Sequence, residues 1–217
     1  MIPISFEFFP SKTDDQHAQL DRTAKKLAAH APEYVTCTFG AGGSTLSHTP
    51  ETLRRLNQQH GLDAAPHLSC VGGSREQIRE LLKLYRAMGC NRIVALRGDL
   101  PSGMGHAGDL RYASELVAFI RSEFGDRFRI EVGCYPEVHP QADDARADLR
   151  HFKTKVDAGA DAAITQYFYN ADAYFHFVDS ARRAGVEVPI IPGVMPTSNF
   201  SQLRRFSGIS KVPLLLS

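Results

Sequence analysis

Four cysteines in 217 residues (Cys37, Cys70, Cys90 and Cys134) are scattered, with no C-x-x-C pair among them. That spacing excludes the common zinc modules and the disulfide framework of a small secreted domain, and leaves buried free thiols. Charge of one sign is also lacking: 25 Lys plus Arg stand against 24 Asp plus Glu. No net field draws the chain to nucleic acid or to a membrane surface, so any anion it binds is held locally. The opening residues, Met1-Ile2-Pro3-Ile4-Ser5, carry neither a basic lead nor an apolar run long enough for a signal peptide or a membrane span. The expected location is the cytoplasm. There is no G-x-x-x-x-G-K-[ST], no Ser-His-Asp order, no nucleophile elbow and no Cys nucleophile motif, which sets phosphate-loop chemistry and acyl transfer aside.

What the chain has is a 43% hydrophobic composition, enough for a sizeable core, arranged in alternating periods. Runs rich in β-branched and aromatic residues at Ile4 to Phe9, Tyr34 to Phe39, Pro66 to Val71, Arg92 to Leu96, Ile130 to Tyr135, Ala163 to Phe168 and Val188 to Val194 read as seven strands. Helical patterns lie between and after them, at Asp15 to Ala29, Pro50 to Gln59, Ser74 to Met88, Tyr112 to Phe124, Ala142 to Ala158, Ala171 to Ala184 and Asn199 to Phe206. In the clearest, Ile78, Leu81, Leu82, Tyr85 and Met88 share one face, Ser74 and Gln77 form a capping box, and Gly89 stands at the C-terminal cap. Strands that are apolar on both faces belong to parallel sheets covered by helices. A (β/α)8 TIM-type barrel and a doubly wound sheet both fit. The first strand-to-helix turn, Phe9-Pro10-Ser11-Lys12-Thr13, has none of the glycines of a dinucleotide fingerprint, which favours the barrel. A full barrel takes about 250 residues, and the segment left for an eighth strand is Val212 to Leu216. The expectation is one barrel domain over residues 1–217, without the C-terminal strand and helix.

Polar residues crowd the ends of several strands, as on the catalytic face of a barrel. Glu7 lies in the apolar run Ser5-Phe6-Glu7-Phe8-Phe9. Burial raises a carboxyl pKa and suits it to general acid work; a structural carboxylate paired with Arg or Lys is the other reading. Gly40-Ala41-Gly42-Gly43-Ser44-Thr45 lets the backbone approach a ligand or simply make a tight turn. Arg97-Gly98-Asp99 can hold a phosphate on one side and a hydrogen-bonding ring on the other, or close on itself as a salt bridge. Tyr135-Pro136-Glu137-Val138-His139-Pro140 presents a ring and an imidazole on a loop stiffened by two prolines. His67 and His139 read as hydrogen-bonding residues, because neither stands at a recognised metal spacing from other ligands, and no metal is expected. Gln166 ends the sixth strand with an amide that donates and accepts.

Taken in order, Ser5-Phe6-Glu7-Phe8-Phe9-Pro10, Thr38-Phe39-Gly40-Ala41-Gly42-Gly43-Ser44-Thr45, Pro66-His67-Leu68, Ala95-Leu96-Arg97-Gly98-Asp99, Tyr135-Pro136-Glu137-Val138-His139-Pro140 and Ile164-Thr165-Gln166-Tyr167-Phe168 resemble methylenetetrahydrofolate reductase of the flavin-dependent, bacterial type. The resemblance runs through Ile191-Pro192-Gly193-Val194-Met195-Pro196 and Asn199-Phe200. It implies a (β/α)8 barrel that binds FAD, takes electrons from NADH or NADPH, and reduces 5,10-methylenetetrahydrofolate to 5-methyltetrahydrofolate in alternating half-reactions. By the same resemblance Glu7 is the general acid that protonates the folate ring nitrogen, and Asp99 lies near flavin and pterin. Gln166, Gln202 and Phe206 contact folate. FAD contacts fall on Thr38, His67, Arg97, Gly98, Asp99, Ala113, Tyr135, His139, Asp148 and Lys155, while His151 and Thr154 stand where some relatives place other FAD-contacting side chains. The implied partners are folate and nicotinamide, with a homo-oligomer also admitted. Another flavin barrel, such as a proline-dehydrogenase-like oxidoreductase, and a non-catalytic flavin-binding fragment are the competing readings.

Overall fold

A computed structural model of the chain describes residues 2–39, 48–70, 73–98 and 108–196. Within these, strands and helices alternate: β1 (Ser5–Phe8), α1 (Asp14–Ala28), β2 (Tyr34–Cys37), α2 (His48–Arg54), β3 (Ala64–Ser69), α3 (Arg75–Ala87), β4 (Arg92–Leu96), α4 (Ala113–Phe124), β5 (Arg129–Cys134), α5 (Ala145–Asp157), β6 (Ala162–Thr165), α6 (Ala171–Arg183) and β7 (Ile190–Ile191). The helix read at Asn199 to Phe206 and the strand read at Val212 to Leu216 lie outside the described residues.

Local chemistry explains most boundaries. Thr13 accepts from the Gln16 N–H ahead of α1, Asp144 from the Ala147 N–H ahead of α5, and Asn170 from the Asp172 N–H ahead of α6. Ser74 and Gln77 form the reciprocal capping box expected before α3, and Gly89 follows that helix at φ +85°, a conformation that favours glycine. One helix departs from expectation. The single pattern read from Pro50 to Gln59 is α-helical only to Arg54 and continues as a π-helical turn over Arg55–Gln59. There Asn57 turns its side-chain oxygen to the Ala64 N–H at 2.8 Å, tying the turn to the start of β3. β3 accordingly begins two residues before the run read from Pro66, with Ala64 in register with Val35.

The chain divides into two compact units, Met1–Ile130 and Glu131–Ser217. In the first, β1 to β4 follow chain order and every described pairing is parallel. In the second, β6 pairs in parallel with both β5 and β7. Neither unit reverses its strand order, so neither contains the switch point of a doubly wound sheet. Parallel strands with intervening helices, seven of them described, make this an incomplete (β/α) barrel of the TIM type. In the first unit Val35, Leu53, Leu68, Leu82, Ile93 and Ile120 are wholly or almost wholly buried; in the second, Val132, Ala162 and Ala163 are fully buried and the rings of Phe152 and Phe177 meet at 5.5 Å. Truncating a core leucine such as Leu82 to alanine costs about 2–5 kcal/mol, because transfer energy is lost and a cavity remains. All four cysteines are buried and unpaired, as expected.

Candidate active site

In the first unit the candidate residues cluster at the C-terminal halves of the strands. Glu7 is the third residue of β1, in register with Thr36 of β2. Its side chain is 54% exposed, so the carboxyl emerges instead of sinking into the core, yet the surrounding protein still removes enough water to lift it above the usual carboxylate range. Glu7 also lines an open groove of about 490 Å³ between the end of β1 and α1, with Phe9, Lys12, Gln16 and Leu20. His67, from β3, is 7% exposed. Burial pushes its imidazole down to about 4, so it is neutral at neutral pH. Its Nε2 lies 3.5 Å from Oε2 of Glu7 and, though buried, has no hydrogen-bond partner. Cys37 sits by the same carboxyl; burial first, and the charge of Glu7 second, raise its thiol to about 12, which makes it inert.

Thr38 extends the pairing beyond β2 by donating its N–H to the Phe8 carbonyl at 2.9 Å. Arg97 directly follows β4, its carbonyl accepting from the Ser69 hydroxyl at 2.8 Å and from the Cys70 thiol. Gly98 then turns at φ +80°, which a side chain would strain. Ala113 opens α4, whose cap residue Tyr112 makes no side-chain capping bond. The first-turn N–H groups at such a terminus are suited to an anionic acceptor. Asp99 and the glycine segment Gly40 to Thr45 lie outside the described residues.

In the second unit the loop after β5 is held in a strained form. Val138, a β-branched residue, has φ +70°. The loop beside it is held by hydrogen bonds that include the His139 N–H donating to Oδ2 of Asp148 at 2.8 Å, the Gln141 N–H donating to Nδ1 of His139 at 3.1 Å and the Ala142 N–H donating to the His139 carbonyl at 2.9 Å. The Tyr135 and His139 rings meet edge-on at 4.4 Å. Asp148, read from sequence as a cofactor contact, thus also shapes the loop. Lys155 is partly buried and donates to the Gly133 carbonyl; desolvation lowers its ammonium pKa, against the opposing influence of Cys134 and Asp148.

Gln166 follows β6, its N–H bonded to the Cys134 carbonyl at 2.8 Å and its side-chain oxygen accepting from the Tyr167 N–H at 3.0 Å. This orientation leaves the amide NH2 to donate elsewhere. Gln202 and Phe206 lie outside the described residues. Sequence reading missed Gly193 as a packing residue. Its N–H donates to the Thr165 hydroxyl at 2.8 Å, and a Cβ there would come within 2.2 Å of the Thr165 carbonyl oxygen. The signal was present in Ile191-Pro192-Gly193, but the close approach is not. Among the described residues no group of three or more His, Cys, Asp or Glu side chains is placed to hold a metal ion, and no helix is long and apolar enough to cross a membrane.

Solved structures with a similar fold include an uncharacterised protein from Clostridium thermocellum that binds two copies of 5-methyl-5,6,7,8-tetrahydrofolic acid, with a TM-score of 0.67 and 13% identity over 99% of this chain and 72% of that one. A 2,3-dimethylmalate lyase of the PEP mutase/isocitrate lyase superfamily matches with a TM-score of 0.58 and 10% identity over 98% of this chain and 85% of that one. At such identities these two speak for the fold alone. Sequence relatives are nearer. The 5,10-methylenetetrahydrofolate reductase of Pectobacterium carotovorum subsp. carotovorum is 43% identical over 211 residues, 97% of this chain and 70% of the relative. That of Escherichia coli K12 is 42% identical over the same shares. Methylenetetrahydrofolate reductase (NADH) 1 of Arabidopsis thaliana is 38% identical over 97% of this chain and 38% of the plant protein. The family model for methylenetetrahydrofolate reductase matches residues 1–214, and the chain belongs to that family.

Proposed function

We propose that the protein reduces 5,10-methylenetetrahydrofolate to 5-methyltetrahydrofolate with electrons from NADH or NADPH, passed through FAD in two alternating half-reactions. The family membership makes it an oxidoreductase. The observation that carries the finer reading is the acid at Glu7: a carboxyl held above its usual range by the loss of water around it, yet still open to a groove, is suited to hand a proton to a substrate nitrogen.

FAD, when bound, stores two electrons and delivers them as hydride to the folate-borne methylene. Features of this chain fit such a group. α4 begins without a side-chain cap, and Lys155 brings a partly buried cation beside β5. In the first unit Thr38, His67, Arg97, Gly98 and Ala113, with Asp99, are the proposed FAD contacts. In the second they are Tyr135, His139, Asp148 and Lys155. The restrained Tyr135–His139 loop offers preformed surface, which reduces the ordering cost of binding.

On the folate side Glu7 gives its proton to the bridging ring nitrogen. The C–N bond to the methylene breaks with its electron pair kept by that nitrogen, and a cationic iminium remains. Asp99 is assigned the role of favouring that cation by its charge. Gln166 donates its free amide N–H to the pterin, and Gln202 and Phe206 complete folate binding. The test is to titrate the purified protein with FAD, reduce it with NADH or NADPH without oxygen, and add methylenetetrahydrofolate. Yellow protein that bleaches with nicotinamide and regains colour with folate supports the reading. FAD binding without folate-driven recovery would reduce the protein to a flavin carrier, and recovery with a proline-derived substrate instead would favour the other flavin barrel.

A further inference from the structure

Glu7 and His67 come from strands that are not neighbours, β1 and β3, with β2 between them, and still reach 3.5 Å. That separation is too long for a settled hydrogen bond, but hydrogen bonds at catalytic groups often tighten only when ligand is bound. Nε2 of His67 is buried and has no hydrogen-bond partner, so that nitrogen is available to Glu7. The other groups close to Glu7 are Thr36, in register with it, the un-ionised Cys37 thiol, and Lys12 and Gln16 along the groove.

We infer that His67 is the positioning residue of the general acid: its Nε2–H donates to Oε2 of Glu7 and so turns the acid proton, on Oε1, outward to the substrate. The inference rests on the reading of Glu7 as proton donor given above. A donor on Oε2 serves an acid better than an acceptor does. As the proton leaves Oε1 for the substrate nitrogen, negative charge grows on the carboxylate and the N–H bond to it strengthens, whereas an acceptor would hold the proton back. The imidazole must also be neutral, because a cation at that distance would ionise Glu7 before substrate arrived. Burial supplies that neutrality. Glu7 then regains its proton from water through the groove, and no redox partner takes part in the step.

The experiment compares the unsubstituted protein with His67→Ala, His67→Gln and Glu7→Gln. Rates of folate reduction are measured on pre-reduced, flavin-loaded protein across pH and normalised to bound flavin. The Glu7 carboxyl is titrated by infrared difference against Glu7→Gln in flavin-free protein. In His67→Ala the Glu7 midpoint should rise by roughly one pH unit, since a bond to the anion is lost, and folate reduction should fall about 10- to 100-fold. In His67→Gln, whose amide donates but does not titrate, the midpoint should stay near that of the unsubstituted protein and the rate should recover to within a few-fold. A midpoint that is unchanged or lower in His67→Ala, or that rises in His67→Gln as it does in His67→Ala, overturns the inference. If His67→Ala does not fold, His67→Leu, which fills the space but cannot donate, takes its place with the same expected rise in the Glu7 midpoint and the same overturning result. Folate reduction that survives Glu7→Gln would instead sink the acid assignment, while the infrared titration still reports on the pair.

Discussion

In the first unit Glu7 and His67 face each other at 3.5 Å, with Nε2 of the imidazole unpartnered and the carboxyl raised by burial. In the second unit Asp148 is bound to the His139 N–H at 2.8 Å, and Gln166 has its side-chain oxygen on the Tyr167 N–H at 3.0 Å. The same kinds of side chain are spent differently. Where backbone satisfies them they fix a shape, as Asp148 does for the strained turn at Val138. Where nothing satisfies them they keep free energy available for a ligand, since an unpaired buried polar group costs about 1–3 kcal/mol until it finds a partner. The first unit is thus suited to chemistry and the second to preformed binding surface.

The largest expected effect breaks the chemical side of this contrast. Glu7→Gln should slow folate reduction about 10²- to 10⁴-fold, the usual worth of a positioned acid, and leave nicotinamide-driven flavin bleaching within a few-fold. Equal loss in both half-reactions, measured by stopped-flow absorbance, would show that Glu7 is structural. The same variant should be at least as stable as the parent at neutral pH. A carboxyl whose folded pKa is raised is stabilising only while protonated, and that contribution is lost as pH rises through the folded value.

His67 gives an opposite dependence. Its folded value near 4 lies below the ordinary 6.5, so as pH falls from 6.5 the unfolded chain takes up a proton first. Stability should be intact above 6.5 and decline toward 4, by at most about 3 kcal/mol, with the slope missing in His67→Gln. Urea melts at several pH values measure it, and parallel curves for the two proteins would contradict the buried neutral imidazole.

Two variants sharpen the contrast from the second unit. Gly193→Ala forces a Cβ against the Thr165 carbonyl, so β6 and the segment after β7 must shift; a loss of about 1–3 kcal/mol in denaturant is expected, with little change if the backbone can yield freely. Asp148→Ala leaves the His139 N–H without its acceptor and should cost about 1–2 kcal/mol. FAD should then bind more weakly, while the pH dependence of folate reduction stays as in the parent. A changed pH profile would place Asp148 in the proton path and erase the distinction between the units.

Much of the fold was legible because its causes are local. Arg92–Leu96 was read with the observed boundaries, and the capping box at Ser74 and Gln77 stands where the spacing puts it. The split of the second helix into α2 and a π-helical turn was not legible, since it depends on Asn57 reaching Ala64 beyond the helix. Nor was the short extent of β7, Ile190–Ile191 against the apolar run Val188 to Val194: apolar residues mark what can be buried, not which backbone groups find partners. The candidate site residues Gln202 and Phe206 rest on the family resemblance alone, and Asp99, legible in the charge pair Arg97-Gly98-Asp99, lies outside the described residues.

The sequence by itself determined the alternation of strands and helices, the residue types carried at strand ends and, through its motifs, the family. Each is written in neighbouring residues by side-chain period, capping and turn chemistry. Only the tertiary structure decided that Glu7 emerges into a groove and meets His67 across an intervening strand, that Val138 is held at positive φ, and that Gly193 lies against Thr165. Those distances depend on how strands far apart in the chain are staggered and on which groups burial leaves without water, and no local pattern encodes either.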